Sequence, residues 1–194
     1  MINQLKLING INEGFKFSFD KHPFKLYQKK YNTYILQGTS FAINRNKNES
    51  IQIKVLPWFN NFWLYSEIMF LSSKTSISIS VFQGSEENNE KNQLFRAEWD
   101  DYDREDETHS QPHWHITTDL SISENYKKLV DNDDDNTFEL FEMAKSEVFE
   151  IKNIHFAMNG NWQNDESHVH KIQDEQKIVK WFQGILKHIR TELE

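Results

Sequence analysis

The chain has no cysteine, which excludes disulfide bonds, thiol nucleophiles and cysteine-ligated zinc. It has six glycines and three prolines in 194 residues, which argues against a fibrous repeat or a disordered chain. No segment approaches the run of about 18 apolar residues that a membrane-spanning helix needs. The first residues, MINQLKLINGINEG, lack the basic-then-apolar layout of a signal peptide. We therefore expect a soluble, cytoplasmic protein that does not bind a membrane.

Basic residues are also in short supply, because 22 Lys and Arg face 30 Asp and Glu, for a net charge of −8. Such a chain repels a phosphate backbone, which disfavours a broad nucleic-acid footprint but leaves a local basic groove open. We expect a protein partner instead. Aromatic residues are abundant, with 15 Phe, 6 Trp and 6 Tyr. This composition predicts one domain, residues 1–194, with an aromatic core.

Alternating apolar and polar residues dominate the middle of the chain, and this period of two is typical of β-strands. It predicts an antiparallel meander of five strands, at 51–59, 62–71, 76–83, 94–101 and 112–119. The pair Asn60-Asn61 is a two-residue hairpin turn, since Asn tolerates positive φ. Apolar residues at helical spacing predict a C-terminal helix with a stripe made of Ile178, Phe182, Ile185 and Ile189. The fold class is α+β, a large curved or barrel-like antiparallel sheet packed by that helix.

The flanking segments give weaker patterns. Residues 1–14 favour a short helix, and the alternating phenylalanines of 15–19 favour a strand that stops near Pro23. Residues 34–44 contain Gly38 and fit either two short strands or one bulged strand. A sixth main strand is expected at 148–158.

The strands at 94–101 and 112–119 bring chemically active residues together. If the aromatic residues Phe95, Trp99 and Trp114 point into the core, strict alternation puts every second residue on the opposite face. That opposite face then carries a guanidinium, two carboxylates and two imidazoles, from Arg96, Glu98, Asp100, His113 and His115. This surface is the candidate site.

Two kinds of chemistry suit these residues. His113 and His115, two apart on a strand, point the same way and form a ligand pair for Zn²⁺ or Mn²⁺. The third ligand is one of four candidates, namely His109, Asp100, Glu98 and His155. A bound ion would activate water, with Glu98 or Asp100 as the base. Without a metal, a histidine would shuttle the proton instead.

In the metal version Arg96 holds an anionic substrate through its planar fork, and in the metal-free version it stabilises the developing charge. The residues that could complete either site are His155, His168 and His170. The structural alternative is that His113 and His115 are hydrogen-bonded residues on a polar sheet face, satisfied by Glu98 and Asp100.

A second candidate is the acidic segment DNDDDNTFELFE. Its acidic residues match the ligand positions of a calcium-binding loop, at Asp131, Asp133, Asp135 and Glu142. The sixth position is Asn136, where that loop requires glycine for a sharp turn, and the chain has no partner loop. A solvated acidic loop is the alternative.

The motifs FRAEWD and QPHWHI, within residues 94–119, resemble small, mostly uncharacterised prokaryotic proteins with a Pro-His-x-His strand after an Arg/Asp-bearing strand. Some of these belong to toxin–antitoxin or phage-defence loci, including toxins of the TumE type. The resemblance implies a defence- or toxin-like protein and carries no established activity with it.

Two functions follow as hypotheses. One is a hydrolase directed at phosphodiesters, which uses Arg96, Glu98, Asp100, His113 and His115. The other is a non-catalytic subunit or adaptor of a multi-protein prokaryotic assembly, in which these residues form a structural polar network.

Overall fold

The computed structural model describes residues 2–15, 23–46, 49–72, 74–101, 112–116 and 174–194. Within these ranges the protein is a mixed α+β structure with one antiparallel sheet of eight strands and two helices. The elements are α1 (Gln4–Gly14), β1 (Leu26–Lys30), β2 (Thr33–Leu36), β3 (Ser40–Asn46), β4 (Glu49–Phe59), β5 (Phe62–Leu71), β6 (Lys74–Gln83), β7 (Asn92–Asp100), β8 (His113–Ile116) and α2 (Glu175–Leu193). None of the described helices is long and apolar enough to cross a membrane.

The predicted meander is confirmed, since β4, β5, β6, β7 and β8 pair in sequence order and antiparallel. The longest ladder joins β5 to β6 without a shift, from Phe62↔Gln83 to Leu71↔Lys74. The turn between β4 and β5 is the predicted Asn pair, with Asn60 at a positive φ of 45°. A side-chain oxygen and short length let asparagine adopt this backbone at small cost.

The segment around Gly38 forms two short strands, which settles one of the two alternatives. β2 pairs with the last part of β5, and the end of β4 pairs with the first part of β5. The chain between β2 and β3 lies against β4, where a Cβ on Gly38 would collide with the backbone of Lys54 and Val55. The first part of β4 pairs instead with β3 and leaves the sheet. The described sheet is therefore open and not closed into a barrel, which leaves the curved sheet of the two predicted alternatives.

One face of the sheet carries the main core. The β6 residues Ile77, Ile79 and Val81 and their neighbours on β7 are at most 1% exposed. α1 and α2 cover this face, and the predicted stripe on α2 packs there. Phe15, which was expected to begin a strand, is the C-cap residue of α1. Its ring packs edge-on against Phe182 of α2, because a phenylalanine at the helix end reaches the same apolar core.

The opposite face is covered in part by the β3–β4 hairpin. A smaller apolar cluster lies between hairpin and sheet, formed by Ile35, Ala42, Val55, Trp63, Tyr65 and Phe82. Beside it the contacts are polar. The backbone N–H of Arg45 donates to Gln93 Oε1 (2.6 Å), and Gln93 Nε2 donates to Asn44 Oδ1 (3.2 Å). β3 therefore lies above the first half of β7, while residues at the far end of β7 and on β8 are partly exposed.

Candidate metal centre

The register of β7 and β8 determines which residues meet. Arg96 lies opposite His115, and Glu98 lies opposite His113. Ala97 and Trp114, which lie between them along the two strands, point to the main core, where the Trp114 ring packs against Phe95 with centroids 5.5 Å apart. The predicted division into a core face and a polar face is therefore confirmed, and Trp114 is a core-side residue.

Three ligand atoms converge on the polar face. His115 Nε2 lies 2.9 Å from Glu98 Oε2, His113 Nε2 lies 3.3 Å from the same oxygen, and the two Nε2 atoms are 3.0 Å apart. Ligand atoms bound about 2.0–2.1 Å from a tetrahedral ion lie about 3.3–3.4 Å from one another. The triangle is thus slightly smaller than one face of a zinc tetrahedron, and a small expansion would admit the ion. Glu98, His113 and His115 form a group that could hold a metal.

Proton counting shows why this triangle suits a cation. If both imidazoles carry a proton on Nε2, their two N–H groups oppose each other across 3.0 Å. If only one carries that proton, the lone pair of the other faces the Glu98 oxygen. Either arrangement leaves one repulsive contact. A cation at the centre of the triangle would accept a lone pair from each of the three atoms, and the repulsive contact would then disappear.

Arg96 supports the carboxylate from behind. Its Nε lies 2.8 Å from Glu98 Oε1, although the N–H is not aligned for a hydrogen bond, so the contact is an ion pair. Burial raises the pKa of Glu98, but hydrogen bonds from His113 and His115 and the positive charge of Arg96 outweigh it. The pKa of this carboxyl is consequently held well below its usual range, so Glu98 is an anion.

The expected role of Arg96 as an exposed clamp for substrate needs correction. The residue is only 3% exposed, because β3 lies over it. Its Nη1 donates to the carbonyl oxygen of Arg45, at 3.1 Å. Arg96 therefore connects the β3–β4 hairpin to Glu98, which is the kind of outer contact that orients a metal ligand.

The other predicted residues fall into two groups. Asp100 lies on the same face as Glu98, opposite Ser76 and partly buried, but it does not belong to the three residues whose ligand atoms converge. The remaining candidates lie outside the described residues, namely His109, His155 and the calcium-loop positions Asp131, Asp133, Asp135 and Glu142.

One contributor was not anticipated from the sequence, namely the cover that β3 provides. The polar residues Ser80 and Gln93 are both fully buried beneath the hairpin, and alternation in the sequence did not indicate this. An alternating strand alone gives no reason to expect a second layer above its polar side.

No family model, curated protein or solved structure matches this chain. The resemblance to toxins of the TumE type therefore stays a prediction.

Proposed function

We propose that the protein is a metal-dependent hydrolase with a single divalent ion held by Glu98, His113 and His115. The observation that carries this proposal is the triangle of Nε2, Nε2 and Oε2 atoms with edges of 3.0, 2.9 and 3.3 Å. Two histidines and one glutamate form the three-ligand set of several catalytic zinc sites, in which water takes the fourth position. Zn²⁺ is the first choice for the ion, and Mn²⁺ the second.

The division of labour follows from the contacts. An ion here would lower the pKa of a bound water to about 7 and polarise a phosphoryl oxygen. The two histidines and Glu98 hold the ion, and Arg96 fixes the Glu98 carboxylate without touching substrate. Because Glu98 is then a ligand, Asp100 is the carboxylate on that face that accepts the proton of the water. We propose a phosphodiester as the substrate and a defence- or toxin-like role for the reaction.

Access to the site is compatible with a substrate. The side chains of His113, His115 and Glu98 are 21%, 33% and 27% exposed, so one side of the group faces solvent. A hydrolytic ion needs an open coordination position, and this partial exposure leaves room for one.

The second candidate is an adaptor in which the same residues form a polar network without metal. The observation in its favour is that Glu98 already lies within 3.3 Å of both imidazoles and 2.8 Å from Arg96. In that case an imidazole N–H would donate to the Glu98 carboxylate, and the network would stabilise β8 on the sheet.

Metal content separates the two candidates. Protein purified without chelator and without an affinity tag is measured by elemental analysis, alongside the double variant His113→Ala/His115→Ala. The matched control is His188→Ala, a histidine on α2 that lies far along the chain from the site. We expect one equivalent of transition metal in wild type and control, and at least 100-fold weaker binding in the double variant.

Hydrolysis of bis(4-nitrophenyl) phosphate is then followed on the same three proteins. The proposal requires activity that the double variant loses and His188→Ala keeps. Wild-type protein that binds no Zn²⁺ or Mn²⁺ at micromolar concentration would contradict the hydrolase and favour the adaptor.

A further inference from the structure

The charge of this acidic chain is unevenly distributed. Residues 1–48 contain eight Lys and Arg against two Asp and Glu, a net charge of +6, so the rest of the chain carries −14. Such asymmetry is typical of proteins that meet a polyanion with one part of their surface.

Part of this positive charge lies on β1 and the residues beside it. Lys25, Lys29 and Lys30 are exposed, and they alternate along the chain with two exposed tyrosines. Tyr27 is 39% exposed and Tyr31 is 86% exposed, and Tyr31 departs from the usual burial of large aromatic residues. Within the described ranges β1 pairs only with β2, so it forms an edge of the sheet. We call residues 25–31 the β1 strip.

The strand register connects the β1 strip to the candidate metal centre. Starting from Tyr27, directly opposed residues follow one another across six strands to the metal ligands, in the order Tyr27, Ile35, Glu67, Ser78, Glu98 and His113. Opposed residues in a sheet point to the same side. Tyr27 therefore shares a face with Glu98 and His113. Five strand spacings of about 4.8 Å put Tyr27 about 24 Å from His113.

We propose that the β1 strip binds a single-stranded polynucleotide and presents one of its phosphodiesters to the metal centre. This inference rests on the proposed hydrolase and names its substrate class. Tyrosine rings stack on unpaired bases, and lysines placed between them contact the phosphates. A base pair inside a duplex has no free face for such stacking, so the strip selects single strands.

Within the row Glu67 and Ser78 are partly exposed, whereas Ile35 is buried beneath the β3–β4 hairpin, so a bound strand would pass beside the hairpin to reach them. The Glu67 carboxylate accepts a hydrogen bond from Tyr65. A carboxylate and a hydroxyl can accept hydrogen bonds from base amino groups, whereas they do not attract phosphates. Positive charge for the phosphate backbone of the polynucleotide comes from the two ends of the row. The lysines of the strip supply it at one end, and the proposed ion supplies it at the other.

The separation predicts a length dependence. At the duplex spacing of about 3.4 Å per nucleotide, 24 Å corresponds to about seven nucleotides. That length falls within the range of about 4–16 nucleotides that single-strand-binding folds cover. Oligonucleotides of four residues should therefore bind more weakly than those of ten, with little gain beyond ten.

Fluorescence anisotropy with a labelled 12-residue single strand tests the strip directly. The full chain is used in EDTA, so that hydrolysis does not shorten the probe. We expect Lys29→Ala/Lys30→Ala to reduce the slope of log affinity against log salt by about 1.4. We expect Tyr27→Ala/Tyr31→Ala to weaken binding at least about fivefold per tyrosine. The variant Tyr27→Phe/Tyr31→Phe keeps both rings and should bind as wild type does. The matched control is Lys177→Ala/Lys180→Ala, which removes two exposed lysines from α2 and should leave binding unchanged.

Three results would overturn the inference. They are equal affinity for a duplex of the same sequence, an unchanged salt slope in the lysine variant, and binding to phosphatidylserine vesicles instead of oligonucleotides. Hydrolysis of bis(4-nitrophenyl) phosphate keeps the two proposals apart, because it needs the metal centre and not the strip. Variants of the strip should retain that hydrolysis. Oligonucleotide binding in EDTA by a protein that takes up no Zn²⁺ or Mn²⁺ when these ions are supplied would contradict the hydrolase and leave the strip supported.

Discussion

Lys91 offers the sharpest test of how the second layer is held to the sheet. The residue is fully buried, and burial, as the main cause, lowers the pKa of its ammonium group. Its three N–H groups are shared among four neutral oxygens, with Nζ lying 2.8 Å from Ser40 Oγ, 2.7 Å from Asn88 O, 3.2 Å from Phe41 O and 3.3 Å from Glu86 O. It also lies 4.3 Å from the centre of the Trp63 ring. One cation thus joins β3, the loop before β7 and the sheet.

The substitution Lys91→Met keeps the length of the side chain and removes the charge. The two shortest hydrogen bonds, at 2.7 and 2.8 Å, involve a charged donor and contribute about 1.5–3 kcal/mol each, and the ring contact adds about 1 kcal/mol. Removal of the ammonium also relieves a desolvation cost of several kcal/mol. The carbonyls left behind are partly buried, so we expect a net loss of about 3 kcal/mol in the free energy of unfolding.

Thermal and urea unfolding measure this loss. For a chain of this length 1 kcal/mol corresponds to about 2–4 °C, so the midpoint should fall by about 6–12 °C. The control is Lys177→Met, an exposed helix position where the change should stay within about 0.5 kcal/mol. A Lys91→Met variant as stable as wild type would refute the reasoning, because it would mean that desolvation of the ammonium equals everything its contacts contribute.

Two further predictions concern other ion pairs. Arg96→Met should weaken Zn²⁺ binding about 10–100-fold in a competition titration, since it frees the Glu98 carboxylate, with Arg190→Met as the control. Glu175→Gln should lower stability by at most about 1 kcal/mol at pH 7 and leave it unchanged near pH 2. Hydrogen bonds from the Asn3 N–H and Lys6 lower the pKa of Glu175 to about 2, so its contribution is complete above about pH 5 and disappears as the pH falls through 2.

Each of these has a clear contrary result. Unchanged metal affinity in Arg96→Met would mean that the ion pair does not orient Glu98. A stability difference for Glu175→Gln that persists at pH 2 would mean that packing between α1 and α2 is responsible, and not the charge of the carboxylate.

The strands could be predicted from the sequence because their pattern is local. On β6 the alternation of isoleucine and serine predicts one apolar and one wet face, and the apolar face is confirmed. The prediction of a solvent-exposed face is confirmed only in part. Ser76 and Ser78 are partly exposed, but Ser80 is fully buried beneath β3. Which polar residues are covered depends on where a distant hairpin folds back, and alternation within one strand carries no information about that.

The same holds for the candidate site, where the sequence predicts which face of the sheet each residue lies on but not the register between the strands. Alternation alone put Glu98, Asp100, His113 and His115 on one side of the sheet. It could not choose between the two carboxylates, because a shift of two residues between β7 and β8 would leave every side chain on its face and put Asp100 opposite His113. The observed pairing of Glu98 with His113 is fixed by contacts on the other face, where Ala97 lies opposite Trp114 and Phe95 packs against its ring.

The burial of Arg96 changes what a substrate would need from the rest of the molecule. An exposed guanidinium beside the metal would have bound a phosphate directly. Instead Arg96 is enclosed between the Arg45 carbonyl and Glu98, and its charge is used to keep a metal ligand ionised. Within the described part of the site, the proposed ion is then the only positive charge that a polyanion could contact. A phosphodiester substrate would have to gain its affinity from charge located elsewhere on the same face, and the lysines beside Tyr27 lie at the other end of that row. The two proposals therefore support each other physically while they fail independently in experiment.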